Sequence, residues 1–281
     1  MADLAEVQRN WEIYARADPM WGVLMDPGRR GGRWDAEAFF AAGRQEVATV
    51  LEHIEGRGVV PEFGGSALDF GCGVGRLTQA LAGRFASAWG VDISPTMVEL
   101  AGQLNRHPQT CRYVVNASDD LARFEDGTFA FVYTSIVLQH VEPRYSSRYL
   151  AEFARLLAPG GVLVFQIPDR TEPGRTPRER LAHLAERLRR TVGLRTRTRR
   201  ALRRAGLLSR PVDTREAAAE MHALDVASVR RVVEGAGLRL VDVQLTNSID
   251  PDFVGGLTYL TQPPTVGWVS KQYCAVRPPA R

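Results

Sequence analysis

From residue 66 onward the chain alternates short apolar runs with longer amphipathic stretches. The runs Ser66–Phe70, Ser87–Val91, Cys111–Asn116, Phe129–Thr134 and Gly161–Gln166 predict five strands. Helices are expected to begin near Gly75, Pro95, Ser118 and Pro143. Ser94 before Pro95 is a good N-cap followed by proline at the first helical position. Pro159-Gly160-Gly161 should stop the fourth helix and turn the chain into the fifth strand. Ahead of this region, Ala36 to Ile54 has the periodicity of an amphipathic helix. After Pro168 the alternation breaks. Leu181, Leu184 and Leu188 then recur at helical spacing, as do the apolar positions of Leu194–Leu207. Val226–Ala236 predicts a helix, and Leu238–Leu245 and Val269–Val276 predict two strands joined by a long loop, Thr246–Gly267. Strands alternating with helices imply a parallel sheet covered on both faces.

The junction of the first strand and first helix carries the chemistry. Ala67-Leu68-Asp69-Phe70-Gly71-Cys72-Gly73-Val74-Gly75-Arg76-Leu77-Thr78 is an apolar strand ending near an acid, then three glycines at alternate positions, then a helix. Glycines let the backbone turn tightly and approach a ligand, and the helix presents free N–H groups and its positive dipole end to it. A dinucleotide site would have the spacing G-x-G-x-x-G. Here it is G-x-G-x-G, with Arg76 where that pattern wants glycine, and Asp69 would repel a pyrophosphate but suits an amine. Asp92, 21 residues after Gly71, stands where a carboxylate can accept from ribose hydroxyls. An amine-bearing nucleoside without phosphates describes S-adenosylmethionine.

With Gly90 to Met97 and the segment Phe131-Val132-Tyr133-Thr134-Ser135-Ile136-Val137-Leu138-Gln139-His140, these motifs resemble, in order, those of class I S-adenosylmethionine-dependent methyltransferases of the small-molecule type. The resemblance covers residues 60–168 well and 219–281 loosely. It implies a doubly wound α/β fold with a mostly parallel seven-stranded sheet and an antiparallel last strand. The divisions it suggests are an N-terminal helical lid over 1–60, a cofactor-binding core over 61–168, a helical insertion over 169–218 between strands five and six, and a completion of the sheet over 219–281. Two positions depart from the family pattern: Ala117 and Ala130 replace carboxylates often found at the third and fourth strands.

Composition changes the picture in one place. Hydrophobic content of 44%, charged content of 24% and a net charge of +4 are those of an ordinary globular protein. No apolar run reaches the roughly 20 residues that span a bilayer, and no leader pattern is read at Met1-Ala2-Asp3-Leu4. Cys72, Cys111 and Cys274 are far apart and lack metal-ligand spacing, so a cytoplasmic setting and no metal are expected. Lys271 is the only lysine, and fourteen arginines lie between residues 169 and 210 against four acids. That segment is a solvated face, an attractor for an anionic acceptor, or an RNA-docking surface. Its lack of Phe, Tyr and Trp disfavours RNA.

The cofactor contacts expected are Asp69, Gly71, Cys72, Gly73, Gly75, Arg76, Asp92, Ile93, Met97, Asn116, Ser118, Asp119 and Ser135. His140, just past the fourth strand, is the candidate general base, because an imidazole accepts a proton near neutrality. Tyr14, Trp21, Trp34, Gln139 and Tyr259 are the candidate contacts for a small-molecule acceptor methylated on oxygen or activated carbon. The alternatives are an RNA methyltransferase docking through 169–210 and a non-catalytic cofactor-binding partner subunit. The oligomeric state has no signature in the sequence.

Overall fold

A computed structural model describes residues 3–169, 220–248, 253, 255–263 and 269–279. The arginine-rich segment of the sequence analysis, and the helices expected within it, lie outside them. Strands β1 (Ser66–Phe70), β2 (Ser87–Asp92), β3 (Cys111–Val115), β4 (Phe129–Thr134), β5 (Leu157–Asp169), β6 (Arg239–Thr246), β7 (Tyr259–Leu260) and β8 (Val269–Val276) form one sheet in the order β3-β2-β1-β4-β5-β8-β6-β7. The first five pair in parallel, and β8 runs antiparallel to both β5 and β6. The seven expected strands are all present. A two-residue strand, β7, adds an eighth inside the loop expected between residues 246 and 267.

The strand residues divide between two cores with period two, as the pleat requires. Ala67, Phe131, Tyr133, Val162 and Val164 pack against α3 (Ala36–Glu55) and α4 (Arg76–Ala82). Leu68, Val132, Leu163 and Phe165 pack against α6 (Pro143–Leu156) and α7 (Val226–Gly235). β4 is buried at every position, which is why it reads as a continuous apolar run rather than an alternating one.

Helix starts follow cap chemistry. Ser94 Oγ accepts from Met97 N at 3.1 Å to begin α5 (Pro95–Gln103), and Asp35 accepts from Ala38 N at 2.8 Å to begin α3. The helix expected near Ser118 does not form. The Asn116 amide donates instead to the carbonyls of Ser118 and Asp120, both at 2.9 Å, and this side-chain alternative fixes a turn. Before the sheet lie α1 (Leu4–Ala17) and α2 (Pro19–Val23). Among the described residues no helix is long and apolar enough to cross a membrane.

Candidate active site

Strand order reverses between β1 and β4, and such sheets bind ligands beyond the carboxyl ends of the strands at that point. A cavity of about 410 Å³ lies there. Its walls bring together Gly71, Cys72, Gly73, Arg76, Asp92, Ile93, Met97, Asn116, Ser135, Gln139 and His140, drawn from four separate stretches of chain. Gly71 and Gly73 hold φ at +77° and +52°, a left-handed backbone that side chains disfavour. A β-carbon at Gly71 would run into the methyl groups of Val137, so the loop can only be this tight with glycine there.

Asp92 ends β2 on the cavity wall. Its Oδ2 accepts from Gly73 N at 2.8 Å and its Oδ1 from Ser94 N at 2.9 Å, which ties the first loop to the second. Burial raises its carboxyl above the ordinary range, and the backbone donors of Ser94, Gly73 and Ile93 work against that rise. Asp69 lies just beneath the loop, 1% exposed. Thr78 Oγ1 donates to its Oδ2 at 2.6 Å, whereas its Oδ1 is buried with no partner in the structure. Burial lifts this carboxyl to about 7, despite the Thr78 hydroxyl and the Arg76 guanidinium. Burial also pushes the Cys72 thiol well up, so it is inert packing rather than a nucleophile.

Arg76 pairs with Glu46 of α3 at 2.7 Å, and the Tyr133 hydroxyl donates to the other Glu46 oxygen at 2.9 Å. α1 closes the opposite side. Leu4, Val7 and Trp11 line the cavity, Gln8 Nε2 donates to Ile93 O at 2.9 Å, and Glu12 accepts from Ser94 Oγ, Thr96 N and Thr96 Oγ1 at 2.6, 2.9 and 2.8 Å. Partial burial pushes the Glu12 carboxyl up, but these donors outweigh it and hold it below its usual range. Sequence reasoning missed Glu12, Glu46 and Ser248. Glu46 had a signal, an acid inside the buried stripe of Gly43, Val47 and Val50.

His140 is half-buried in a 3-10 turn after β4, with Trp11 edge-on to its ring at 5.4 Å. Its Nδ1 lies 3.0 Å from the Glu220 carbonyl, an acceptor only, so Nδ1 carries the proton and donates. Nε2 therefore holds the lone pair, and the Gln139 amide donates to it at 3.1 Å. Burial is the main reason its pKa falls to about 4. Several predicted contacts, Asp69 among them, lie off the cavity wall. Gly75 caps α4, the Ser118 carbonyl accepts from Tyr149, and Asp119 pairs with Arg148 at 2.9 Å. Trp21 and Trp34 donate to the carbonyls of Asp26 and Leu24, Tyr14 is buried against Gly22, and Tyr259 stacks on His53 at 3.8 Å.

A phosphate-free amino nucleoside fits these groups. The glycine loop admits backbone contact, Asp92 and Asn116 line the cavity with polar groups, and Asp69 lies behind that wall with its Oδ1 buried and unpartnered. Residues 68–165 match a family described as a methyltransferase domain. A ubiquinone biosynthesis O-methyltransferase from Thiobacillus denitrificans is 30% identical over 138 residues, 49% of this chain and 58% of that one. One from Methylococcus capsulatus is 35% identical over 109 residues, 38% and 45% of the two chains. The chain thus spans about half the length of the curated relatives it matches. Among solved structures, magnesium protoporphyrin IX methyltransferase from Synechocystis PCC 6803, with S-adenosylhomocysteine bound, superimposes with a TM-score of 0.58 at 18% identity, covering 98% of this chain and 100% of that one. The cyclase SpnF gives 0.60 at 14% identity over 100% and 98%. The domain over residues 68–165 is thus of the class I S-adenosylmethionine-dependent methyltransferase kind, set in a sheet of the matching order with the expected motifs around this cavity.

Proposed function

We propose that the protein transfers a methyl group from S-adenosylmethionine to an oxygen or activated carbon of a small-molecule acceptor, with His140 receiving the acceptor's proton. The observation that carries this reading is the fixed tautomer of His140, a residue of the cavity wall: Nδ1–H is held by the Glu220 carbonyl, which leaves the lone pair on Nε2. Bound there, the cofactor supplies an electrophilic methyl on a sulfonium, so little covalent chemistry is left to the protein. Gly71, Gly73, Asp92 and Asn116 hold and orient the nucleoside, and the apolar walls of Leu4, Val7, Trp11, Met221 and Phe253 exclude water.

A pKa of about 4 leaves His140 neutral and able to accept at pH 7. Such a base is too weak to ionise a phenol beforehand. As the new bond to carbon forms, however, the attacking oxygen gains positive charge and its proton becomes far more acidic than this imidazolium. Proton transfer therefore follows bond formation, and the acceptor's hydroxyl takes the place of the Gln139 amide at Nε2.

Among the described residues, Arg76 is the one arginine lining the cavity and is engaged by Glu46, which favours a neutral, largely apolar acceptor. In this reading residues 1–60 form the lid. Incubation with S-adenosylmethionine and a panel of phenols, catechols and enols, read as S-adenosylhomocysteine formed, tests it. Turnover of at least one class supports the proposal. Tight cofactor binding with no transfer to any of them favours the second reading, a cofactor-binding partner without transferase activity, which the likeness of fold to a cyclase keeps in view.

A further inference from the structure

Ile136 is the one residue other than glycine with a positive φ, +54°, among the described residues. A β-branched side chain in that conformation is strained, and strain of this kind persists only where the surroundings hold it. The restraint is visible. Ile136 N donates to Oε1 of Gln166 at 2.9 Å. Gln166 sits on β5, 2% exposed, and is not on the cavity wall.

The amide's orientation follows from chemistry. A backbone N–H can only donate, so the Gln166 atom facing Ile136 is the oxygen, and the Gln166 nitrogen must donate on its other side. It does so to Ser270 Oγ. Ser270 shares a buried hydroxyl cluster with Thr246 and Ser248, at 2.9 Å to each. Gln166 is thus anchored at both ends, by a strained turn and by strands β6 and β8.

The turn it restrains touches the cofactor loop. Ser135, Ile136 and Val137 all line the cavity, and the Val137 methyls cover the face of Gly71 that a β-carbon would occupy. We propose that Gln166 is a positioning residue for the cofactor: by bonding Ile136 N it holds the 135–137 turn in its strained form, so that Val137 packs on Gly71 and the wall of the site is set before the nucleoside arrives. This rests on the cofactor occupying this cavity, as in the reading above.

The test uses S-adenosylhomocysteine and isothermal titration calorimetry on the whole chain. Gln166→Leu removes the acceptor for Ile136 N and should weaken binding by about tenfold or more, the scale of one lost restraint on a strained residue. Gln166→Glu keeps an oxygen facing Ile136 N and should stay within about threefold of the unaltered protein. In an Ile136→Gly background the left-handed turn is unstrained, so Gln166→Leu should there cost less than about threefold. Equal affinities for the Leu variant and the unaltered protein overturn the proposal, as does a Glu variant that loses as much as the Leu variant. Should Gln166→Leu fail to fold, Gln166→Glu decides alone: retained affinity supports the restraint and a tenfold loss refutes it. If the unaltered protein does not bind S-adenosylhomocysteine, the cofactor reading itself fails, which is a separate outcome.

Discussion

Glu46 in α3 and Arg76 at the start of α4 form an ion pair from which solvent is excluded, 2.7 Å between charged atoms and 0% and 2% exposed. The pair pins the N-terminal helices to the glycine loop, and Gly43 lets α3 approach the Arg76 backbone closely enough for it to form. Breaking such a pair by removing one partner leaves a buried charge. Glu46→Leu should therefore destabilise the fold by about 3–5 kcal/mol, while Glu46→Leu with Arg76→Met should cost less than that single change. Urea unfolding measures both, and a double variant no more stable than Glu46→Leu removes the argument.

The His140 site makes a prediction about pH. Burial depresses the pKa to about 4, below the unfolded value near 6.5. The sign follows: the unfolded chain binds more protons between these values, so this contribution to stability is complete above about 6.5 and is lost as the pH falls toward 4. Turnover should show no inflection near 6.5 from this residue. His140→Ala should lower turnover by about tenfold or more while leaving S-adenosylhomocysteine affinity unchanged. A pH–rate profile of kcat, paired with calorimetry on the variant, reads both, and a break near 6.5 that vanishes in the variant contradicts the structure.

Asp92 bonds both the loop before it and the helix after it, so its removal should act twice. Asp92→Ala forfeits the Gly73 and Ser94 contacts and, in the proposed reading, the ribose acceptor. At about 1.5–3 kcal/mol per hydrogen bond to a charged group, affinity for S-adenosylhomocysteine should fall roughly a hundredfold. Affinity unchanged by calorimetry would remove the ribose assignment.

The extent to which the chain could be read in advance has a physical pattern. Strands and the glycine loop were legible because their signals are local: apolar runs, alternate glycines, and Ser94-Pro95 as a cap. Asn116 misled, since its side chain competes with helix formation over the next four residues. The tryptophans misled in another way. An aromatic near a site buries area whether or not it faces the ligand, and Trp11 lines the cavity while Trp21 and Trp34 bond nearby carbonyls of their own segment. Glu12 and Gln166 act across 82 and 30 residues, and no local periodicity encodes a partner so distant.

Glu12 latches α1 onto the start of α5 with three bonds to one carboxylate. A negative charge there also faces the positive end of α5. Glu12→Ala should free α1 and speed dissociation of S-adenosylhomocysteine by about tenfold, while Thr96→Val should have a smaller effect of the same sign. Trp11 on α1 lines the cavity and reports the event by stopped-flow fluorescence. Dissociation no faster in Glu12→Ala shows that α1 does not gate the site.

Asp69 offers the sharpest check on how the nucleoside is held. Burial lifts its carboxyl to about 7, with Glu46 and Asp92 adding to the rise and Thr78 and Arg76 opposing it. A carboxyl raised above its unfolded value stabilises the fold at low pH, and that contribution is lost as the pH climbs through about 7. Asp69 is not on the cavity wall and its unpartnered Oδ1 is buried, so a ligand ammonium reaches it only if the glycine loop yields. An ammonium that does so reverses the preference, because a neighbouring positive charge favours the carboxylate. Binding of S-adenosylhomocysteine should then release up to about one proton near pH 6 and almost none near pH 8.5. Calorimetry in buffers of different ionisation enthalpy counts the protons released. An observed enthalpy that does not depend on the buffer near pH 6 would place the ammonium elsewhere, and Asp69 would then be a buried carboxylic acid that keeps its proton and serves only to hold Thr78 at the base of the loop.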